Sequence, residues 1–494
     1  MFEFRRAHFI SAIILAVNAS SFAAEIDDKK IDAEIDRALE QWQAPGAAVA
    51  IVNGDKILYL RGRGVRARGK PDRITADTVF PLASCSKAFT TTLMAMLADE
   101  GKLGWDDPVR KHLKDFHLSD PLADGDVRLR DLVSHRTGVA GHDLLWYRAP
   151  WNQDEMIRRV GKLPLSQPFR TAMQYQSIMF MAAGHASANA AGKPWHELIE
   201  QRIFKPLEMK SATLRTPDAF KQIDRAAAHS KGKDGIEVIP WYELREPNPA
   251  GSINASARDL SAWLQFHLNE GLNGENRLVS ADNLTVTHSP QTIIDMKGAN
   301  QEQHPFTHQM SYGMAWVIQD YRGELLVSHA GLIDGFRAHL TLLPKRKLGL
   351  AILCNMNQTR LNLALSNQLV DMLLDAPAKD WNDHYRKIFE AEEFAAKVQK
   401  AQIERNRKRG TTPSLALETY EGTYEEPAYG TAKVHLEKGE LVLEWSSFRC
   451  KLEHFQNDVF RALDEHLGRT PIEFHIHDKQ VAAMTAIGMK FTRK

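Results

Sequence analysis

The chain has 494 residues, 43% hydrophobic and 25% charged, with a formal net charge of +1. Single cores stop growing at roughly 250–300 residues, so more than one domain is expected. Balanced acids and bases exclude the basic stripe of a nucleic-acid binder, and three widely spaced cysteines (Cys85, Cys354 and Cys450) give neither a disulfide framework nor a zinc pattern.

The first residues read as a secretory signal. Arg5 and Arg6 precede a short apolar core over 9–17, and Ser21-Phe22-Ala23 fits a small-x-small cleavage site, with the cut after Ala23. The core is shorter than the about 20 apolar residues that a membrane span needs. The mature protein is expected to be exported, periplasmic in a host with two membranes, and without a membrane span.

Residues 26–42 have helical periodicity. The apolar run 47–52 meets Asn53-Gly54, a hairpin turn signal, and then a second strand over 56–60. A helix follows from Ser84, with Phe89, Leu93, Met96 and Leu97 on one apolar stripe and Gly101 at its end. Short helices and loops fill 105–290. Strands return at 325–328, 336–343 and 348–354, and a helix at 361–374. This order predicts an α/β domain over 24–375, an antiparallel sheet flanked by helices with a helical insertion. Residues 376–413 read as a charged helical linker whose basic end, 405–410, is a solvated face. From 414 to 494 short alternating strands predict a small all-β barrel.

Chemistry is concentrated at Ser84-Cys85-Ser86-Lys87. A serine and a lysine three apart share one helix face. A partly desolvated lysine there can take the serine proton, or assist another base, and so activate the hydroxyl. Alone this spacing is common, and Ser84 reads equally well as a helix cap. Two further groups follow in order. Tyr175-Gln176-Ser177 comes after Pro168-Phe169-Arg170, and His329-Ala330-Gly331 ends a strand before Leu332 and Gly335-Phe336. No metal-ligand spacing or nucleotide fingerprint is present, so no metal or cofactor is expected.

The three groups resemble the Ser-x-x-Lys, Tyr-x-Asn and Lys/His/Trp-x-Gly signatures of the serine β-lactamase-related hydrolases. That superfamily includes class C β-lactamases, D-alanyl carboxypeptidases, D-aminopeptidases and family VIII carboxylesterases. The stretches Leu129 to Gly138 and Pro249-Ala250-Gly251-Ser252-Ile253 resemble further family segments. The tail from 415 resembles the lipocalin-like domain attached to some members. The resemblance implies an acyl-enzyme on Ser84, with Lys87 and Tyr175 as the acid–base pair. It places the oxyanion on the backbone N–H groups of Ser84 and Leu332, and substrate against Ser177, His329, Ala330 and Gly331. An ammonium beside the phenol is expected to favour its phenolate.

Two positions depart from the family pattern. Ser177 stands where Asn is usual, and offers one donor in place of two. His329 stands where class C β-lactamases have Lys, so a permanent cation for a β-lactam carboxylate is missing there. The expected substrate is a small ester or an amide or peptide. A β-lactamase or penicillin-binding carboxypeptidase is the alternative, and a catalytically weak binding protein is another of a different class. Cys85 as nucleophile lacks a histidine motif. His135, His142 and Asp143 read as cleft lining or structural hydrogen-bonders, and Trp146 and Tyr147 as an aromatic wall or core.

Overall fold

The structure, a computed structural model, describes residues 27–464 and 466–494. The signal segment and its cleavage after Ala23 lie outside these residues. Among the described residues no helix is long and apolar enough to cross a membrane.

The sheet is antiparallel and eight-stranded. Its order is Lys56–Gly64, Gly46–Asn53, Leu348–Cys354, Phe336–Leu343, Glu324–Ile333, Val317–Tyr321, Thr307–Tyr312 and Thr292–Ile294. The two-residue period of a strand sends alternate side chains to opposite faces. Ala48, Ala50 and Val52 enter one core, while Ala47, Val49 and Ile51 enter the other. Both faces are therefore covered, which is why this strand reads as a continuous apolar run.

On one face lie helices Asp28–Trp42 and Leu361–Leu373, through Ile31, Ile35, Leu365 and Leu369. The other face carries Ala257–Leu268 and the helical insertion built around Ser86–Asp99 and Ser177–Ala191. The single apolar stripe expected for the Ser84 helix is corrected here. Every residue from Ser86 to Leu97 is buried, because this helix runs through the middle of the insertion.

Helix Trp381–Arg405 connects the sheet domain to the barrel. At its start, buried Asp371 accepts from Trp381 Nε1 at 2.7 Å and Arg322 Nε at 2.8 Å. At its end Glu404 pairs with Arg461 of the barrel, and Arg407 donates to the carbonyl of Phe455 at 2.6 Å. The basic end is thus not wholly a solvated face: Arg407 docks on the barrel.

The barrel closes through eight strands, from Gly422–Glu426 to Met489–Arg493. Closure removes exposed strand edges. Its interior is filled by Trp445, Met484, Phe491 and their neighbours, which leave about 10 Å³. A single water needs about that much, so the space among these side chains holds no more than one water.

Candidate active site

Ser84 sits on a tight turn, Ala83–Cys85, immediately before helix Ser86–Asp99, so it precedes the α-helix rather than opening it. Ala83 has φ 46°, a left-handed conformation for a residue with a Cβ. Such backbone costs about 1–3 kcal/mol and persists where its surroundings enforce it. Here strand Glu324–Ile333 presses on the turn. Cys85 Sγ meets the carbonyl of His329 at 3.3 Å. A Cβ added to Gly331 would stand 2.1 Å from the carbonyl oxygen of Leu82. The glycine's missing side chain is used by the chain's own backbone, beyond any use by substrate.

Lys87 lies one turn after Ser84 and is 0% exposed. Its Nζ donates to Ser84 Oγ at 3.0 Å, to the Ala250 carbonyl at 2.9 Å and to Ser177 Oγ at 3.4 Å. No carboxylate forms an ion pair with it among the described residues. Burial lowers its ammonium to about 7, opposed weakly by the charge of Asp143. An amine in this state is largely able to accept a proton at neutral pH.

The segment around Ala250 is fixed to the same helix. Thr90 Oγ1 donates to the Pro249 carbonyl at 2.7 Å, and the Ile253 N–H donates to Ser86 Oγ at 3.1 Å. Sequence motifs pointed to 249–253, but a backbone carbonyl leaves no trace in residue identity.

Tyr175 is carried by the loop before helix Ser177–Ala191. Its neighbour Gln176 holds that loop. The Gln176 side chain accepts from the Ile178 N–H at 2.9 Å and donates to the carbonyls of Ala140 and Gly141 at 2.6 and 2.8 Å. Its own N–H donates to His135 Nδ1 at 3.1 Å. The His135 ring lies 4.1 Å from that of Tyr175. His135 is thus a buried positioning residue, and burial keeps it neutral.

Lys87 Nζ stands 5.0 Å from the centre of the Tyr175 ring. The Tyr175 phenol is raised above its usual value, chiefly by desolvation of the hydroxyl end and with only the Ser84 hydroxyl opposing, while the side chain as a whole is 36% exposed to the cavity mouth. The Lys87 amine is wholly buried and pulled toward neutrality, so the phenol gains little from it.

His329 is buried. Its Nδ1 donates to the Ala330 carbonyl at 2.7 Å, which fixes the tautomer, and Nε2 accepts from Tyr312 Oη at 3.0 Å. Burial, with Lys87 nearby, lowers it to about 3, so it is neutral. Pairing of its strand with Val317–Tyr321 stops at Ser328 opposite Val317. Residues 329–333 therefore present an edge with no strand partner on that side, and this edge carries Ala330, Gly331 and Leu332. Cys85 is buried, and burial pushes its thiol up to about 12, which removes it as a nucleophile.

Ser84, Lys87, Tyr175, Ser177, His329, Ala330 and Leu332 line one cavity of about 700 Å³, and Gly331 does not line it. Its far wall is Asp143, Trp146 and Tyr147, with Asp334 and Arg337 at one end. Tyr147 stacks on Tyr242 at 4.9 Å and donates to Asp334 Oδ2 at 2.7 Å. The barrel supports this wall from behind. His142 Nδ1 and Tyr429 Oη are 2.8 Å apart, and Arg159 donates to the carbonyl of Ala428 at 2.9 Å.

A family model described as Beta-lactamase matches residues 31–370. The chain belongs to the beta-lactamase family. The chain is therefore a beta-lactamase-fold hydrolase. Residues 406–493 match a domain of unknown function, DUF3471.

The Unguisins hydrolase ungD of Aspergillus violaceofuscus is 27% identical over 509 residues, covering 93% of this chain and 88% of that protein. Two solved structures share the fold. The octameric penicillin-binding protein homologue from Pyrococcus abyssi has a TM-score of 0.65 at 19% identity, covering 95% of this chain and 100% of that one. The class C beta lactamase from Rhodobacter sphaeroides has a TM-score of 0.55 at 20% identity, covering 70% of this chain and 99% of that one.

Proposed function

We propose that this protein is an exported serine hydrolase that cleaves small esters or amides, peptides included, through an acyl-enzyme on Ser84. The observation that carries the reading is Lys87 Nζ at 3.0 Å from Ser84 Oγ, with its ammonium held near 7 by burial. A hydroxyl needs a base beside it, and this amine is one.

Neutral Lys87 takes the Ser84 proton as Oγ bonds to the substrate carbonyl carbon. The oxyanion that forms is held by the N–H groups of Ser84 and Leu332, over the open edge of residues 329–333. Collapse breaks the bond to the leaving group, which takes a proton from Tyr175. Lys87 returns its proton to the phenolate, so both groups regain their starting state. Water then attacks the acyl carbonyl, gives its proton to Lys87, and Ser84 leaves with that proton. Tyr175 suits the donor role because its phenol is shifted upward, toward the protonated form. Ser177 hydrogen-bonds Lys87 and stands with His329, Ala330 and Gly331 along the substrate path.

The fungal relative, an unguisins hydrolase, supports the hydrolase reading at the level of reaction type. The test is hydrolysis of 4-nitrophenyl acetate and a D-alanyl amide by the wild type and Ser84→Ala. Loss of about a thousandfold or more in kcat/KM is expected. Unchanged hydrolysis by the alanine variant would remove Ser84 from the chemistry.

A further inference from the structure

Behind Trp146 lies a second cavity, of about 840 Å³. It shares Trp146, Leu244 and Asn248 with the cavity of Ser84, so these three residues form the partition between the two. Ser84, Lys87 and Tyr175 do not line it.

The partition holds an unused donor. Asn248 is 7% exposed, and its Oδ1 accepts from the Ala250 N–H at 2.9 Å, which fixes the two ends of the amide. Nδ2 has no hydrogen-bond partner among the described residues and is not sealed from the surrounding space. A donor on so buried a side chain is normally paired. This one stands where the two cavities meet, two residues before the carbonyl that accepts from Lys87.

Beyond the partition the groove combines apolar walls with exposed acids. Trp151, Met156 and Tyr242 continue the apolar surface of Trp146. Asp154, Glu243 and Glu246 set three carboxylates against one permanent cation, Arg245, which Glu243 holds at 2.9 Å. Asp154 meets His185 at 3.0 Å, and burial lowers that imidazole, so it carries little charge at neutral pH. Glu246 is exposed and has no cation within ion-pair distance among the described residues. An excess of carboxylates beside apolar walls matches a long basic side chain, whose methylenes pack while the charged head stays hydrated among the acids.

We propose that this groove takes a lysine or arginine side chain of an extended peptide substrate, with Asn248 Nδ2 donating to a backbone carbonyl of that peptide at the junction with the Ser84 cavity. This deepens the acyl-enzyme reading of the cleft and rests on it. The substrate class is then a basic peptide, chosen by a residue displaced from the scissile bond. Contacts of that kind hold the reacting carbonyl in place at Ser84.

The test uses acetylated, amidated alanine pentapeptides with one lysine, norleucine or glutamate at each position in turn, in the L and D series. Norleucine keeps the apolar stem and drops the charge. Binding is read by calorimetric titration of Ser84→Ala, so that the peptides stay uncut. At one position at least, lysine is expected to bind about fivefold or more tighter than norleucine, as two exposed charge pairs supply, and glutamate weaker than either. Adding Asp154→Asn and Glu246→Gln brings the lysine advantage down to about twofold or less, with norleucine reporting how much folded protein remains. Should that variant not fold, Glu246→Gln alone reads the same ratio. In the wild type the best lysine peptide should compete with 4-nitrophenyl acetate. Equal binding of lysine and norleucine at every position, an advantage that survives both substitutions, or a lysine peptide that binds without competing overturns the proposal. If wild type and Ser84→Ala hydrolyse the acetate equally, the hydrolase reading fails by itself, and the titrations still decide the groove.

Discussion

Replacing Lys87 by methionine separates the base from the burden of burying it. The amine falls from its ordinary 10.5 to about 7 because it is wholly desolvated. At about 1.4 kcal/mol per pH unit, the folded chain carries about 5 kcal/mol of strain when Lys87 is charged. Between pH 7 and 10.5 the unfolded chain binds a proton that the folded chain does not, so stability rises with pH across that window. Below about 7 both states hold the proton, and the whole penalty is present.

Methionine carries no charge and has nearly the same length. It also removes the donor to Ser84 Oγ and the Ala250 carbonyl. Leaving those acceptors unpaired costs about 1–3 kcal/mol. The net expectation is a gain of about 2–4 kcal/mol for Lys87→Met at pH 6, turning to a loss of about 1–3 kcal/mol by pH 10.5. Differential scanning calorimetry of both proteins from pH 6 to 10.5 reads this as a gap in Tm that closes and reverses. A gap that stays constant, or that grows in favour of methionine as pH rises, would refute the burial argument. The same variant should lose hydrolysis at every pH.

Three other outcomes are expected. The pH profile of kcat/KM on a neutral ester should show an acid limb with midpoint near 7, set by Lys87, and activity should fall as pH drops through it; a midpoint below 5.5 would pass the base role to another group. Gly331→Ala places a Cβ against the Leu82 carbonyl, which cannot swing away, so thermal unfolding should report about 1–3 kcal/mol lost, with kcat down about a hundredfold from displacement of the Ser84 turn. Tyr429→Phe deletes the hydrogen bond to His142; it should lower stability by about 0.5–1.5 kcal/mol and raise KM more than it lowers kcat, measured on substrates long enough to reach Trp146.

Much of the fold was legible because its core strands are apolar on both faces. Residues 47–52 and 348–354 signal themselves by composition, and the sheet-with-insertion order followed from them. Strands Thr307–Tyr312 and Thr292–Ile294 were not legible, since they lie at the sheet's margin and carry residues such as His308, Gln309 and Ile293 that face solvent. In the site, Ser84 and Lys87 were implied by spacing along one helix, which is a local property. Tyr175, Ser177 and His329 were reachable through motif resemblance alone, and the structure brings them to the same cavity. The Ala250 carbonyl, the Tyr312 partner of His329 and the free amide donor of Asn248 had no local signal. Each depends on what stands across from it, and sequence periodicity is silent about that. The protonation of Lys87 had no local signal either, since it depends on the surroundings that bury the amine and pull it toward neutrality.

The filled barrel and its grip on His142 divide the chain's evolutionary freedom. The barrel is packed inside, while its residues 428, 429 and 447 hydrogen-bond Arg159, His142 and Arg148 beside the wall of a cavity whose reacting atoms sit elsewhere. Substitutions there reshape the mouth without touching Ser84 or Lys87. A laboratory library confined to that contact would vary the mouth of the cavity with Ser84 and Lys87 held constant.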